Sequence, residues 1–209
     1  MIDQKTQNLR IIDTTIPTPW GGPQNSKESY EKERIADASY LSVDEVKDHS
    51  SSLPHMMPTN EEFRKYVTQE RIRADTSVVV YDQHGMFSAP RVWFMFRVFG
   101  HTNVRVLDGG LPLWKKIGLP LNSDSPVKSS SSPELTEEEM TKFEKMEKQV
   151  IDMEGVNKVA QHNLALPLEK WSSIIIDNRS GARYRAEVKE PRPNCRSGCV
   201  PSALNLPFS

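Results

Sequence analysis

The chain is poor in cysteine, carries almost no net charge and has no long apolar run. Of its 209 residues only Cys195 and Cys199 are cysteine. Two thiols cannot make a disulfide framework, so a reducing compartment is the default expectation. Basic and acidic side chains number 27 and 28. That balance removes the electrostatic footprint of a nucleic-acid binder. The longest apolar stretch, Val92–Val98, is interrupted by Arg97 and falls far short of the ~20 residues that a bilayer span needs. The opening MIDQKTQNLRIID has an early Asp3 and no apolar stretch. No secretory signal is expected there, and the Arg-rich, acid-poor character of a transit peptide is missing.

The residues that are present alternate between strand-like and helix-like segments. Residues 9–13 (LRIID) read as a short strand, and TPWGGPQNSKESYEKER as a turn leading into a charged, exposed stretch. Ser39–Val43 reads as a second strand. Thr59-Asn60-Glu61-Glu62 marks a helix start, with Phe63, Tyr66 and Val67 as its apolar face. The run SVVVY at 77–81 predicts a strand buried on both faces. APRVWFMFRVFGH predicts a helix, with Pro90 in its first turn and Gly100 ending it. VRVLD (104–108) is a further buried strand, and GGLPLWKKIG a turn and short helix. This order is the βα alternation of a parallel sheet. NSDSPVKSSSSPE (122–134) has linker composition. The spacing of Met140, Phe143, Met146 and Val150 predicts a charged amphipathic helix over 134–149. SSIIIDNRS repeats an apolar strand ending in Asp, and SALNLPF reads as another strand.

Three stretches resemble one family. YDQHGMFSAPRVWFMFRVFGHTNVRVLDGGLPLW (81–114) and the upstream loop DHSSSLPHMMP (48–58) resemble the N-terminal domain of the two-domain rhodanese-type sulfurtransferases, acting on thiosulfate or 3-mercaptopyruvate. DNRSGARYRAEVKEPRPNCRSGCVPSALNLPF (177–208) resembles the opening of their C-terminal domain. The resemblance implies an α/β fold: a rhodanese-like domain with a central, mainly parallel sheet flanked by helices, plus an incomplete second rhodanese-like domain. The expected division is 1–121 for the first domain, 122–172 for a linker and its helix, and 173–209 for the start of the second.

The same resemblance implies the chemistry. Family enzymes carry sulfane sulfur as a persulfide on a cysteine in a strand-to-helix loop of the C-terminal domain. Backbone N–H groups at a helix N-terminus keep that thiolate ionised and nucleophilic. The chain is expected to stop before that loop, so it supplies no catalytic residue of this kind. Asp82 stands at the equivalent position of the first domain. A carboxylate forms no persulfide and would repel an anionic donor. Asp177-Asn178-Arg179 with Arg183 resembles the family's Asp-x-Arg-x-x-x-Arg, and Glu190-Pro191-Arg192 its Glu-Pro-Arg. Arg183 and Arg192 are therefore the expected binders of the donor's carboxylate or sulfonate. Ala182, Lys189 and Cys199 depart from the family pattern, where Gly, Pro and His are usual.

Other residues carry plainer readings. Cys195 and Cys199, spaced C-x3-C, could be read as a redox pair or half a metal site, but further metal ligands are lacking and two free loop thiols are expected. His84 could be named a base, but transfer between sulfurs needs little proton movement, so an exposed loop histidine is expected. His49, His55 and His101 are expected in loop and helix-end hydrogen bonds. Asp108-Gly109-Gly110 lacks the rest of a phosphate fingerprint and reads as a tight turn. Trp93, Phe94, Phe96 and Phe99 read as core.

Two functions follow. One is sulfur transfer from a small anionic donor to a thiol or cyanide, in complete relatives. The other is a catalytically inactive rhodanese-like binding or regulatory module, or a truncated isoform, with a protein partner. Neither needs a cofactor or metal, and a cytoplasmic or mitochondrial setting is expected for both.

Overall fold

The computed structural model describes residues 8–18, 23–124, 135–191 and 194–208. They form two compact units, Met1–Glu147 and Lys148–Ser209.

The first unit is built on β1 (Leu9–Asp13), whose neighbours come from three later segments. In chain order these elements are α1 (Ser26–Lys32), β2 (Arg34–Ile35), β3 (Ala38–Tyr40), α2 (Asn60–Gln69), β4 (Ser77–Tyr81), α3 (Ala89–Val98), β5 (Val104–Val106), α4 (Gly110–Lys116) and β6 (Leu121–Asn122). The main sheet has the order β3-β1-β4-β5, and every pairing is parallel. β2 and β6 form a separate antiparallel pair. Ile12, Val78 and Val80 are fully buried between the sheet and the aromatic faces of α2 and α3. On the other face Ile11, Ala38 and Tyr81 pack with Tyr30 of α1 and Leu111 of α4. Helices therefore cover both faces, as a parallel sheet requires.

Local chemistry sets the boundaries. Thr59 and Glu62 close a capping box at α2: the Glu62 amide donates to Thr59 Oγ1 at 3.3 Å, and the Thr59 amide to Glu62 Oε2 at 2.8 Å. The charged stretch before β2 is a helix rather than exposed coil. α1 has little apolar periodicity and is held by one residue, Tyr30, whose hydroxyl donates to the Ala38 carbonyl at 2.6 Å. Phe96 and Phe99 are core as expected, but Phe94 is 38% exposed.

The helix expected over 134–149 is much shorter. α5 covers Glu137–Thr141. Beyond it, tertiary contacts outcompete helical continuation. Phe143 is buried against Phe63 and His101. The Met146 amide donates to the Val98 carbonyl at 2.7 Å, closing an orphan acceptor at the end of α3. Arg64 Nε donates to the Phe143 carbonyl at 2.9 Å, and the Lys145 amide to Asn60 Oδ1 at 2.8 Å. Residues 135–147, placed with the linker by sequence, thus belong to the first unit.

The second unit opens with α6 (Met153–Leu164), capped by Asp152, whose carboxylate accepts the Gly155 amide at 2.7 Å. β7 (Ile176–Asp177), α7 (Gly181–Tyr184) and β8 (Leu204–Asn205) follow, with β7 and β8 parallel. The run SSIIID does not form a buried strand like SVVVY. Ile174 and Ile176 are 57% and 51% exposed, because among the described residues β8 alone pairs with β7.

This small pair repeats the β1–β3 pair in detail. Asp13 faces Tyr40, and Asp177 faces Asn205. The Leu41 amide donates to the Asp13 carbonyl at 2.9 Å, and the Leu206 amide to the Asp177 carbonyl at 3.0 Å. Tyr30 donates to the Ala38 carbonyl at 2.6 Å, and Tyr184 to that of Ala203 at 2.7 Å. Each alanine lies two residues before the strand residue facing the aspartate.

Candidate functional site

In a parallel sheet the carboxyl ends of the strands are where ligands bind. In the first unit those ends carry Asp13 and Asp82. Asp82 is fully buried. Its Oδ1 accepts the His84 amide at 2.9 Å. Its Oδ2 accepts the amides of Phe87, Ser88 and Ala89 at 2.7, 2.9 and 2.9 Å. Ser88 precedes α3 but makes no side-chain cap bond. Asp82 caps the helix instead, from six residues upstream, with its charge at the positive end of the helix dipole.

A glycine makes that loop possible. Gly110 has φ +52, and a Cβ there would lie 2.4 Å from the Asp82 carbonyl oxygen and 2.8 Å from that of Gly85. The Leu111 amide donates to the same Asp82 carbonyl at 3.0 Å. The Asp-Gly-Gly turn is thus a tight turn, as its sequence indicates, and it presses the loop against the sheet end. His84 is half-buried rather than exposed. Its Nε2 lies 2.8 Å from the Ile16 carbonyl, which can only accept, so this nitrogen carries the proton.

Beside this loop, Asp13 is fully buried. Oδ1 accepts the Thr15 amide at 2.9 Å and the Thr15 hydroxyl at 2.5 Å, and Oδ2 accepts Gln83 Nε2 at 3.1 Å. Burial pushes its carboxyl above the usual carboxylate range, against the pull of these hydrogen bonds. His49 Nε2 lies 3.1 Å from the Glu45 carbonyl, in keeping with the expected loop role. His55 is more specifically placed, with Nε2 3.1 Å from Asp44 Oδ1. Arg91 donates to the His55 carbonyl. Nothing in the sequence spacing marked that pair, eleven residues apart in a loop. His101 is buried against Phe96 and Phe143, which lowers its pKa.

The second unit offers a different arrangement. Asp177 Oδ1 accepts the Arg179 amide at 3.0 Å and Arg179 Nε at 2.9 Å, and its Oδ2 accepts Arg179 Nη2 at 2.5 Å. Arg179 Nη1 donates to Glu190 Oε1 at 2.8 Å, and Nη2 also to the Gly198 carbonyl at 2.6 Å. Arg183 Nη2 donates to Glu190 Oε2. Glu190 is therefore a hub, its side chain 7% exposed. The Arg183 bond holds its carboxyl below the ordinary value, and the Arg179 bond does the same for Asp177. Arg179 is committed on every side. Arg183 is held by Glu190 alone: its Nε is buried without a partner, and its side chain as a whole is 32% exposed. Arg192 lies outside the described residues. The family motif pointed to Arg183, but the bracing role of Arg179 was not read from sequence. Cys195 and Cys199 are free and exposed. Among the described residues no side-chain group could hold a metal.

Residues 1–117 match the family model described as Rhodanese-like domain. The chain belongs to the rhodanese family. Its relatives include a probable 3-mercaptopyruvate sulfurtransferase of Schizosaccharomyces pombe, 33% identical over 210 residues, covering 100% of this chain and 66% of the relative. The 3-mercaptopyruvate sulfurtransferase of Escherichia coli K12 is 34% identical over 201 residues, covering 96% of this chain and 66% of the relative. The chain thus spans just under two thirds of these relatives. The sulfur transferase subunit of yeast mitochondrial complex I superposes with a TM-score of 0.81 at 30% identity, covering 98% of this chain and 70% of that one. These likenesses place the rhodanese chain beside sulfurtransferases and agree with the α/β architecture, a parallel sheet covered by helices. No helix among the described residues is long and apolar enough to cross a membrane.

Proposed function

We propose that this chain is the donor-recognition part of a rhodanese-type sulfurtransferase, acting on a small anionic donor such as 3-mercaptopyruvate or thiosulfate. The observation that carries this is the Asp177–Arg179–Glu190–Arg183 network. Two carboxylates fix Arg179, Glu190 fixes Arg183, and the Arg183 side chain keeps solvent-facing surface. A pre-set guanidinium suits a carboxylate or sulfonate. Arg192 would add a second cationic contact. In a 3-mercapto acid, the carboxylate would be held here while the sulfur faces an acceptor thiolate.

That thiolate is not among these residues. Asp82 fills the one strand-to-helix cradle described, and Cys195 and Cys199 lie in a loop with no following helix. A carboxylate cannot take up sulfane sulfur, and four of the amides that would cradle a thiolate are already used. The filled cradle also favours a second reading, in which the chain acts as a non-catalytic module for a protein partner, in the cytoplasm or in mitochondria. The yeast relative named as a complex I subunit is consistent with that setting.

The test has two arms. The purified chain is incubated with thiosulfate and cyanide, and with 3-mercaptopyruvate and a thiol. Turnover no higher than that of a Cys195→Ser/Cys199→Ser control is expected, and cysteine-dependent turnover would overturn the assignment. Separately, 3-mercaptopyruvate binding is titrated by NMR. Arg183→Ala is expected to weaken it by about tenfold or more, the loss of a charge-assisted contact. Equal binding by both proteins would remove Arg183 from the donor site.

A further inference from the structure

We propose that Cys195 and Cys199 form an oxidant-responsive dithiol, and that closing it into a disulfide loosens the arginine brace at the end of β7. Both thiols are free and exposed, four residues apart. Asn194, just before the first cysteine, has φ +62, and Gly198, just before the second, has φ +112 with open space beside it. The chain is thus already bent at both ends of the short loop that a bridge would close.

The surroundings of Cys199 favour it as the attacking sulfur. Gly198, the residue before it, accepts Arg179 Nη2 on its carbonyl at 2.6 Å, which sets the Cys199 backbone beside that guanidinium. A neighbouring guanidinium stabilises a thiolate, and an exposed thiolate is the form that oxidants attack. Cys195 takes the resolving role.

With a peroxide as oxidant the chemistry balances. The Cys199 thiolate attacks one peroxide oxygen, the O–O bond breaks, and the departing hydroxide is protonated to water. This leaves a sulfenic acid on Cys199. The Cys195 thiolate then attacks the Cys199 sulfur. The S–O bond breaks, a second water leaves, and the S–S bond forms. Two thiols are oxidised and one peroxide is reduced.

The consequence comes through Gly198. Its carbonyl, next to Cys199, accepts Arg179 Nη2 at 2.6 Å. A bridge fixes the two Cα atoms at roughly 4.4–6.8 Å and so takes over the placement of the peptide between them. Arg179 then loses its backbone acceptor, and with it one of the fixed points that orient Glu190 and Arg183. The dithiol stands apart from the sulfur-transfer reading; only its effect on the donor arm rests on that reading.

The full reduced chain is treated with hydrogen peroxide, trapped with an alkylating agent and weighed intact. The expected product has lost about 2 Da and takes up no label at either cysteine, as for one internal disulfide. Cys195→Ser and Cys199→Ser are each expected to abolish that product. Continued labelling of both cysteines, sulfinic acid alone, or disulfide-linked dimers would overturn the dithiol. Trypsin cleavage after Arg179 and Arg183 reads the brace. The oxidised chain is expected to be cut roughly threefold faster than peroxide-treated Cys199→Ser, through easier local opening. Equal rates would overturn the coupling. Neither readout uses turnover, so failure here is separable from failure of the sulfurtransferase assignment.

Discussion

The ends of β1 and β7 use one backbone device for opposite electrostatic purposes. In both, an aspartate at the strand end accepts the amide two residues on, at 2.9 Å in Thr15 and 3.0 Å in Arg179. Both strands pair in parallel with a partner tied by a tyrosine. What differs is the residue after the turn. Thr15 gives the first unit a short neutral partner, so Asp13 is sealed from water and its carboxyl is pushed up. Arg179 gives the second unit a cation, and the Asp177 carboxyl is pulled down. The neighbouring cradle in the first unit is filled by Asp82, while Arg183 in the second keeps part of its side chain open to solvent. One unit has turned its strand end into structure, and the other carries the arginines for which we propose a recognition role.

The comparison breaks most easily at Asp82. Asp82→Ala strands four amides, two buried and two partly buried, and a loss of about 3–5 kcal/mol in urea unfolding of the chain is expected. A loss below about 1 kcal/mol would mean the carboxylate does not hold the loop. Gly110→Ala tests the same loop from outside. Its Cβ would meet the Asp82 backbone at 2.4 Å in a left-handed conformation, at a cost of about 2–4 kcal/mol. A near-neutral change would show that the turn can retreat.

The two aspartates should also part with pH. The Asp13 carboxyl lies above its ordinary 3.8, so its contribution to stability is full below 3.8 and is lost as pH rises through its folded value. The Asp177 carboxyl lies below 3.8, so its contribution is present above 3.8 and is lost as pH falls through its folded value. From about pH 3 to about pH 7, Asp13→Asn should therefore gain on the wild type and Asp177→Asn should fall behind it. Parallel stability curves for the two variants would erase the distinction. The smallest effect is expected at Lys158, paired with Glu154 at 2.6 Å with both side chains 73% exposed. Lys158→Ala should change stability by no more than about 0.5 kcal/mol in the same unfolding assay. A larger change would show that surface pairs matter here as well as the Glu190 hub.

Much of this was legible in the residues, and the exceptions have physical causes. β4, α2 and α3 announce themselves through a β-branched run, a capping box and a first-turn proline. The family motif singled out Asp82, which follows β4, and Arg183, which lies in α7. α1 was missed because one tyrosine hydroxyl, rather than an apolar stripe, anchors it. The helix over 134–149 was overextended because its spacing suits a helix, whereas Phe143 and Met146 find better partners in Phe63 and Val98. The rest of the site escaped for the same reason. Nothing local in Arg179 or Glu190 says that they will meet, since their eleven-residue separation is closed by the fold.

The strap formed by residues 143–146 has a practical consequence for anyone dissecting the molecule. Phe143 is a stopper in the aromatic hollow between Phe63 and His101. A fragment trimmed at residue 121 would leave that hollow uncorked and sticky, whereas one carried through Glu147 would keep it sealed.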